Sequence, residues 1–127
     1  MTEPVHLLHQ LGMRDVEESA ERLVIDMDNR PDLVNIRGAI QGGLVATLID
    51  IAAGRLAGEN VGAEQSVTTA DMTVHFLAPI IEGPARAVAT IVRKGKRSII
   101  TKVEVTDVGR DRLAAIATLS FAVLDPR

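Results

Sequence analysis

Three kinds of residue between Asn35 and Ala57 could do chemistry together: a carboxylate, Asp50; a glycine pair, Gly42-Gly43; and two amides, Asn35 and Gln41. From Leu44 to Ala57 the chain reads LVATLIDIAAGRLA, where only Thr47, Asp50 and Arg55 carry polar side chains. So narrow a polar face predicts a helix covered by protein on most sides. An ionised carboxylate at its centre loses hydration, so Asp50 is expected to be paired or to have a task. Thr47, Asp50 and Gly54 share a stripe that leads back to Gly43 at the helix start. With no side chain in the way, the N–H groups of the glycine pair lie open at the positive end of the helix dipole. They could receive the oxyanion of an acyl-transfer reaction while the carboxylate activates water against the same carbon. Plainer roles stand beside these. Asp50 could pair with Arg55 or a neighbouring chain, the glycines could serve a turn, and Asn35 could be a turn former.

The elements that must position these residues follow from hydrophobic pattern and punctuation. Residues 4–11 predict a short helix, with Pro4 in its first turn and Gly12 as its stop. A first strand is expected within residues 13–28, best seen in RLVIDMD from Arg22. A turn-rich loop at Asn29–Asp32 leads into the glycine stretch and the helix, which fades at Gly58–Gly62. Four more strands follow, at Ser66–Leu77, Ala85–Arg93, Ser98–Val108 and Leu113–Leu124. The short links at Glu82-Gly83-Pro84, Lys94-Gly95-Lys96 and Gly109-Arg-Asp predict antiparallel neighbours. One long helix with a run of antiparallel strands gives an α+β layout, the helix on one sheet face.

Composition narrows the function classes. The 127 residues fit a single domain, 1–127. A net charge of −3, no Trp or Tyr, and only Phe76 and Phe121 as aromatics argue against a nucleic-acid partner. Without cysteine there is no disulfide framework, zinc–thiolate site or thiol nucleophile. His6 and His9 lie three apart with no third ligand nearby, so no metal is expected. The first residues lack a signal-peptide pattern, and Leu44–Ala57 is too short and interrupted to span a bilayer. A soluble, cytoplasmic protein without a membrane partner is expected.

Asn35, then Gln41-Gly42-Gly43 six residues on, then Asp50 nine residues after Gln41 resembles the signature of hotdog-fold acyl-CoA thioesterases. It is most similar to the phenylacetate-degradation and 4-hydroxybenzoyl-CoA branch, which shows His where this chain has Gln41. The resemblance runs over roughly residues 20–124. It continues in Thr68-Thr-Ala-Asp-Met-Thr-Val-His-Phe-Leu-Ala-Pro79, similar to a family strand ending in aromatic-Leu-x-Pro, and in Gly95-Lys96-Arg97-Ser98, similar to a turn that meets the nucleotide of coenzyme A.

The resemblance implies a hotdog fold, an antiparallel sheet curled around a long central helix, and the hydrolysis of acyl-CoA thioesters without a cofactor. It implies Gly42, or less so Gly43, as oxyanion donor and Asp50 as general base or nucleophile. Asn35 would orient the carbonyl or the water, and Gln41 would bond across the helix start. Thr69, or its neighbour Thr68, would hold the water from the partner chain. Lys96, Arg97 and Ser98 would meet the CoA phosphates. It further implies a homodimer, or a homotetramer of two such dimers, with sites at the subunit interface. A non-catalytic acyl-CoA or acyl-carrier binding module is the alternative, and a structural subunit whose Asp50 pairs with Arg55 is a third reading. The hydratase branch is disfavoured, because its Asp and His pair at a loop-to-helix turn is not evident.

Overall fold

A computed structural model describes residues 5–126 of the chain. Its centre is one unbroken helix, α1 (Gly42–Gly58), held in a six-stranded antiparallel sheet. The strands are β1 (Met13–Glu18), β2 (Arg22–Met27), β3 (Ser66–Phe76), β4 (Ala85–Lys94), β5 (Ser98–Asp107) and β6 (Arg112–Leu124). Their order across the sheet is β1-β2-β4-β5-β6-β3, so β1 and β3 are its edges.

Alternation along the strands builds the inner face. Leu23, Ile25 and Met27 of β2, Ala85, Ala87 and Ala89 of β4, Ile99, Val103 and Val105 of β5, and Leu119 and Phe121 of β6 are all buried. They meet Val45, Leu48, Ile49, Ala52, Ala53 and Leu56 of the helix. The helix packs most extensively on β4, whose alanines let it approach closely. Each fully buried leucine or isoleucine here contributes roughly 1.5–3 kcal/mol. The expected long helix and antiparallel sheet are therefore both present, with the helix starting two residues earlier than the apolar run.

Three expectations need correction. The N-terminal helix is one 3-10 turn, Leu7–Gln10; Pro4, placed in its first turn, lies outside the described residues. The segment 13–28 holds a two-strand hairpin, not one strand. Ser19 turns it, its hydroxyl accepting from the N–H groups of Glu21 and Arg22 at 3.3 and 3.0 Å. β1 (MRDVEE) is an edge strand left largely exposed, so it lacks the alternation by which a half-buried strand is recognised.

Finally, Glu82-Gly83-Pro84 is no hairpin link. β3 pairs with β6 while β4 pairs with β2 and β5, so residues 77–84 form a strap that crosses past the end of the β5–β6 hairpin. Among the described residues no helix is long and apolar enough to cross a membrane.

The strap lies directly on the β5–β6 turn. Gly109 donates to the Gly83 carbonyl at 3.1 Å, and a Cβ at Gly109 would sit 2.9 Å from that oxygen and 2.7 Å from the Glu82 Cβ. Gly109→Ala should therefore cost about 1–3 kcal/mol by forcing the strap outward. The check is a lowered urea midpoint at unchanged slope; an unchanged midpoint would show that the two loops separate freely.

Candidate active site

The helix start is set by Gln41. Its extended backbone ends the preceding loop, and its carbonyl accepts from Leu44 and Val45 at 3.0 and 3.1 Å. Gly42 and Gly43 thus supply the first N–H groups of α1. Both residues are exposed, and neither N–H has an acceptor among the described residues. Gln41 is tied down away from them: its N–H donates to the Leu33 carbonyl at 2.9 Å, and its side-chain amide lies 3.4 Å from the Val34 carbonyl. Asn35 does form a turn. Its side-chain oxygen accepts from Arg37 and Ala39 at 2.8 and 3.2 Å, and its backbone N–H donates to Ala39 at 2.7 Å.

A cleft of about 350 Å3 opens at this end of the helix, lined by Asn35, Ile40, Gly42, Val45 and Phe76 together with the strap Leu77–Ile80. Among the described residues no titratable side chain lines it. Phe76 stands beside the helix start; a Cβ built on Gly42 would touch its ring at 3.6 Å. The sequence placed Phe76 at a strand ending and among the two aromatic residues, with no role in a site. The usable signal was its place as the single aromatic residue just before Leu-Ala-Pro79.

Asp50 lies further along α1, half-buried, and one of its oxygens accepts the Thr69 hydroxyl at 2.8 Å. One expectation is corrected here. Arg55 does not pair with Asp50; it bonds Asp15 at 2.5 and 3.2 Å and Glu18 at 3.1 Å, fastening the helix to β1. Thr69 meets the Asp50 of its own chain. It does so beside a bulge in β3 between Thr69 and Asp71, and Thr68 is exposed nearby. Thr47 is committed to its own helix, its hydroxyl donating to the Gly43 carbonyl at 2.9 Å.

The continuity of α1 fixes a separation. Eight residues at about 1.5 Å each place Asp50 about 12 Å along the axis from Gly42. The two groups therefore cannot act on one carbon from the same chain.

Lys96, Arg97 and Ser98 occupy a third place, the exposed β4–β5 turn. Lys94 and Lys96 share a cleft of about 440 Å3 with Glu59, Asn60 and Gln65 at the far end of the helix, about 24 Å from Gly42. The structure thus joins Asn35, Gly42 and Phe76, joins Asp50 and Thr69, and leaves the basic turn apart from both. His75 is exposed on the edge strand.

A curled antiparallel sheet around one long helix defines the hotdog fold. The thioesterase superfamily profile matches residues 37–114, and the chain belongs to that superfamily. It is 29% identical over 119 residues, 93% of this chain and 94% of the relative, to the Bacillus subtilis protein named "Putative esterase ComA2". Among solved structures, a thioesterase family protein from Silicibacter pomeroyi superposes with a TM-score of 0.87 at 25% identity, over 94% of this chain and 89% of that one. The Bacillus halodurans protein BH2602, solved with CoA, superposes at 0.75 and 31% identity, over 80% of this chain and 66% of that one. Membership of that superfamily supports a hydrolase of thioesters.

The Arg55 pair generates a pH test. Its hydrogen bond to Arg55 holds the Asp15 carboxyl below the ordinary value of 3.8, and the same contact raises Arg55. A depressed carboxylate stabilises the fold above its unfolded value and loses that contribution as pH falls through the folded one. Arg55→Met should therefore cost at most about 1 kcal/mol at neutral pH, given the exposure of the pair. The difference from wild type should vanish in acid, as chemical denaturation across pH will show. A deficit constant down to the lowest pH would assign Arg55 a packing role only.

Proposed function

We propose that the chain hydrolyses acyl-CoA thioesters to free acid and CoA, in a dimer where Gly42 of one protomer works with Asp50 of the other. The observation that carries this reading is the pair of N–H groups left without an acceptor among the described residues, at a cleft that none of these residues charges, with the one carboxylate of α1 held by Thr69 two turns away. In the proposed reaction the acyl group fills the cleft beside Phe76 and its carbonyl oxygen lies on the Gly42 N–H. The partner's Asp50 takes a proton from water as the water oxygen bonds to the carbonyl carbon. The C–S bond then breaks, and the CoA thiolate leaves and is protonated. Alternatively an oxygen of the partner's Asp50 bonds to the carbon itself, the C–S bond breaks and the CoA thiolate leaves and is protonated, and water then hydrolyses the mixed anhydride to free acid and the Asp50 carboxylate. Asn35 shapes the cleft wall, Thr69 orients Asp50, and Gln41 fixes the helix start without moving a proton. Gly43 is the adjacent donor and Thr68 the adjacent hydroxyl.

The two sheet edges favour β3 as the pairing surface. β1 carries four charged residues in six, and charge protects an edge. β3 has eleven residues with one carboxylate, one His, no Lys and no Pro, and its Met72 and Phe76 are exposed. An isologous pairing of β3 with a second β3 sets the two helices antiparallel. Small residues along the half-exposed stripe, Gly43, Ala46, Thr47, Asp50 and Gly54, allow those helices to approach. The partner's Asp50 then moves toward Gly42, and the partner's Lys96 and Arg97, beside its helix end, move toward the same site. A tetramer would join two such dimers.

Two variants test the shared site. Asp50→Asn removes the base and keeps the shape. Gly42→Pro removes the oxyanion donor at the first helical position, where proline is tolerated, after a residue already extended. Each alone should lower kcat by about 10²–10³ with the fold kept. Mixed and refolded together in equal amounts, they should recover about one quarter of wild-type activity, because half the dimers carry one intact site of two. A mixture no more active than its parents would end the shared-site account. Wild-type affinity for acyl-CoA with no turnover would identify a binding module.

The basic turn is tested separately. Lys96→Ala with Arg97→Ala should raise KM for acyl-CoA with kcat little changed, and the effect should shrink as salt rises. An unchanged KM at low salt would reduce the turn to a solvated hairpin tip.

A further inference from the structure

We propose that Asp107, buried at the end of β5 and outside the cleft, is a positioning residue that sets the Gly42 N–H through the strap. The kinetic part of this inference rests on the thioesterase reading; its structural part does not. Asp107 has no exposed surface. One carboxylate oxygen accepts the N–H groups of Ile81 and Glu82 at 2.9 and 3.2 Å, and the other accepts that of Gly83 at 2.7 Å. Burial pushes this carboxyl up, but the N–H groups of Ile81, Gly83, Glu82 and Arg110 outweigh it and hold it below its usual range.

The strap is held elsewhere as well. The Asn29 side-chain amide donates to the Ile81 carbonyl, and Gly83, at φ +75°, has Asn29 so close that a Cβ would lie 2.9 Å from the Asn29 Cβ. Its other end is tied by the N–H groups of Leu77 and Ala78, which donate to Ala114 at 2.8 and 3.1 Å. Between these anchors the Ile80 carbonyl accepts the N–H of Ile40 at 3.0 Å. Ile40 precedes Gln41, whose carbonyl begins the helix. A short hydrogen-bonded route therefore runs from Asp107 through residues 81–83 to Ile80, Ile40 and the N–H of Gly42. The same strap walls the cleft from Leu77 to Ile80.

A carboxylate suits this task because every bond it makes is accepted. The N–H groups of Ile81, Glu82, Gly83 and Arg110 converge on it, so an amide in its place must turn a donor toward a donor. The strap would then shift, carrying Ile40 and the helix start with it. An oxyanion donor displaced by a few tenths of an ångström loses most in the transition state, where its bond is strongest.

Asp107→Asn tests this with two readouts, steady-state hydrolysis of an acyl-CoA and the amide 1H–15N spectrum of the free protein. The expected result is a folded protein whose Ile40 and Gly42 amide signals move, with kcat about tenfold lower and KM within twofold of wild type. A folded Asp107→Asn protein with unmoved Gly42 signal and wild-type kcat overturns the proposal, whatever its melting temperature. If Asp107→Asn does not fold, Asn29→Ala loosens the same strap from its other side and is judged on the same two readouts. Should wild type hydrolyse no thioester, the activity reading fails. The amide signals then decide the positioning role by themselves, moved supporting it and unmoved overturning it.

Discussion

The rise of an α-helix, about 1.5 Å per residue, is the constraint from which the rest of this structure takes its meaning. Gly42 and Asp50 are fixed on one unbroken helix, two turns apart and too far apart to share a carbon. Whatever reaction uses both must recruit them from two copies. The remaining features agree with that demand. The helix leaves a stripe of small, half-exposed residues uncovered, one sheet edge is charged while the other is long and open, and among the described residues no acid or base lines the cleft at the helix start.

Packing keeps that geometry rigid. The alanines of β4 bring the sheet close to the helix while Leu23, Ile25, Leu119 and Phe121 fill the flanks, leaving the helix packed along its buried face. Arg55 ties it to β1 through Asp15 and Glu18, and Thr69 ties Asp50 to β3. The latter bond orients the carboxylate without neutralising it, because a hydroxyl brings no opposing charge. Asp50 is left free of any cation among the described residues, as a base or nucleophile requires.

Much of this could be read from the chain itself. The apolar run after Gly42-Gly43, interrupted only by Thr47, Asp50 and Arg55, announced a covered helix with a carboxylate at its centre. The spacing from Asn35 to Gln41 to Asp50 carried the family. What escaped the sequence has physical reasons. β1 alternates nothing because it is solvated on most sides. The strap looked like a turn because Gly83-Pro84 is turn chemistry wherever it occurs, and no local pattern says which strand lies beside which. The Thr69 contact depends on a bulge, which shifts the register by one residue without a clear mark in the sequence.

Asp107 carries a signal in the phase of its own strand. Ile99, Thr101, Val103 and Val105 alternate inward along β5, and Asp107 falls in the same phase. A carboxylate on the buried phase of a strand must find donors.

The central claim is that the thioester carbonyl lies between the N–H of one protomer and the carboxylate of the other. A crystal structure with an unreactive acyl-CoA analogue, its sulfur replaced by a methylene group so that a ketone remains, tests this most directly. The account predicts the ketone oxygen about 2.7–3.1 Å from the Gly42 nitrogen, with the partner's Asp50 as the nearest carboxylate to the carbonyl carbon. An analogue bound with its carbonyl away from Gly42, or beside the Asp50 of the same chain, would contradict it.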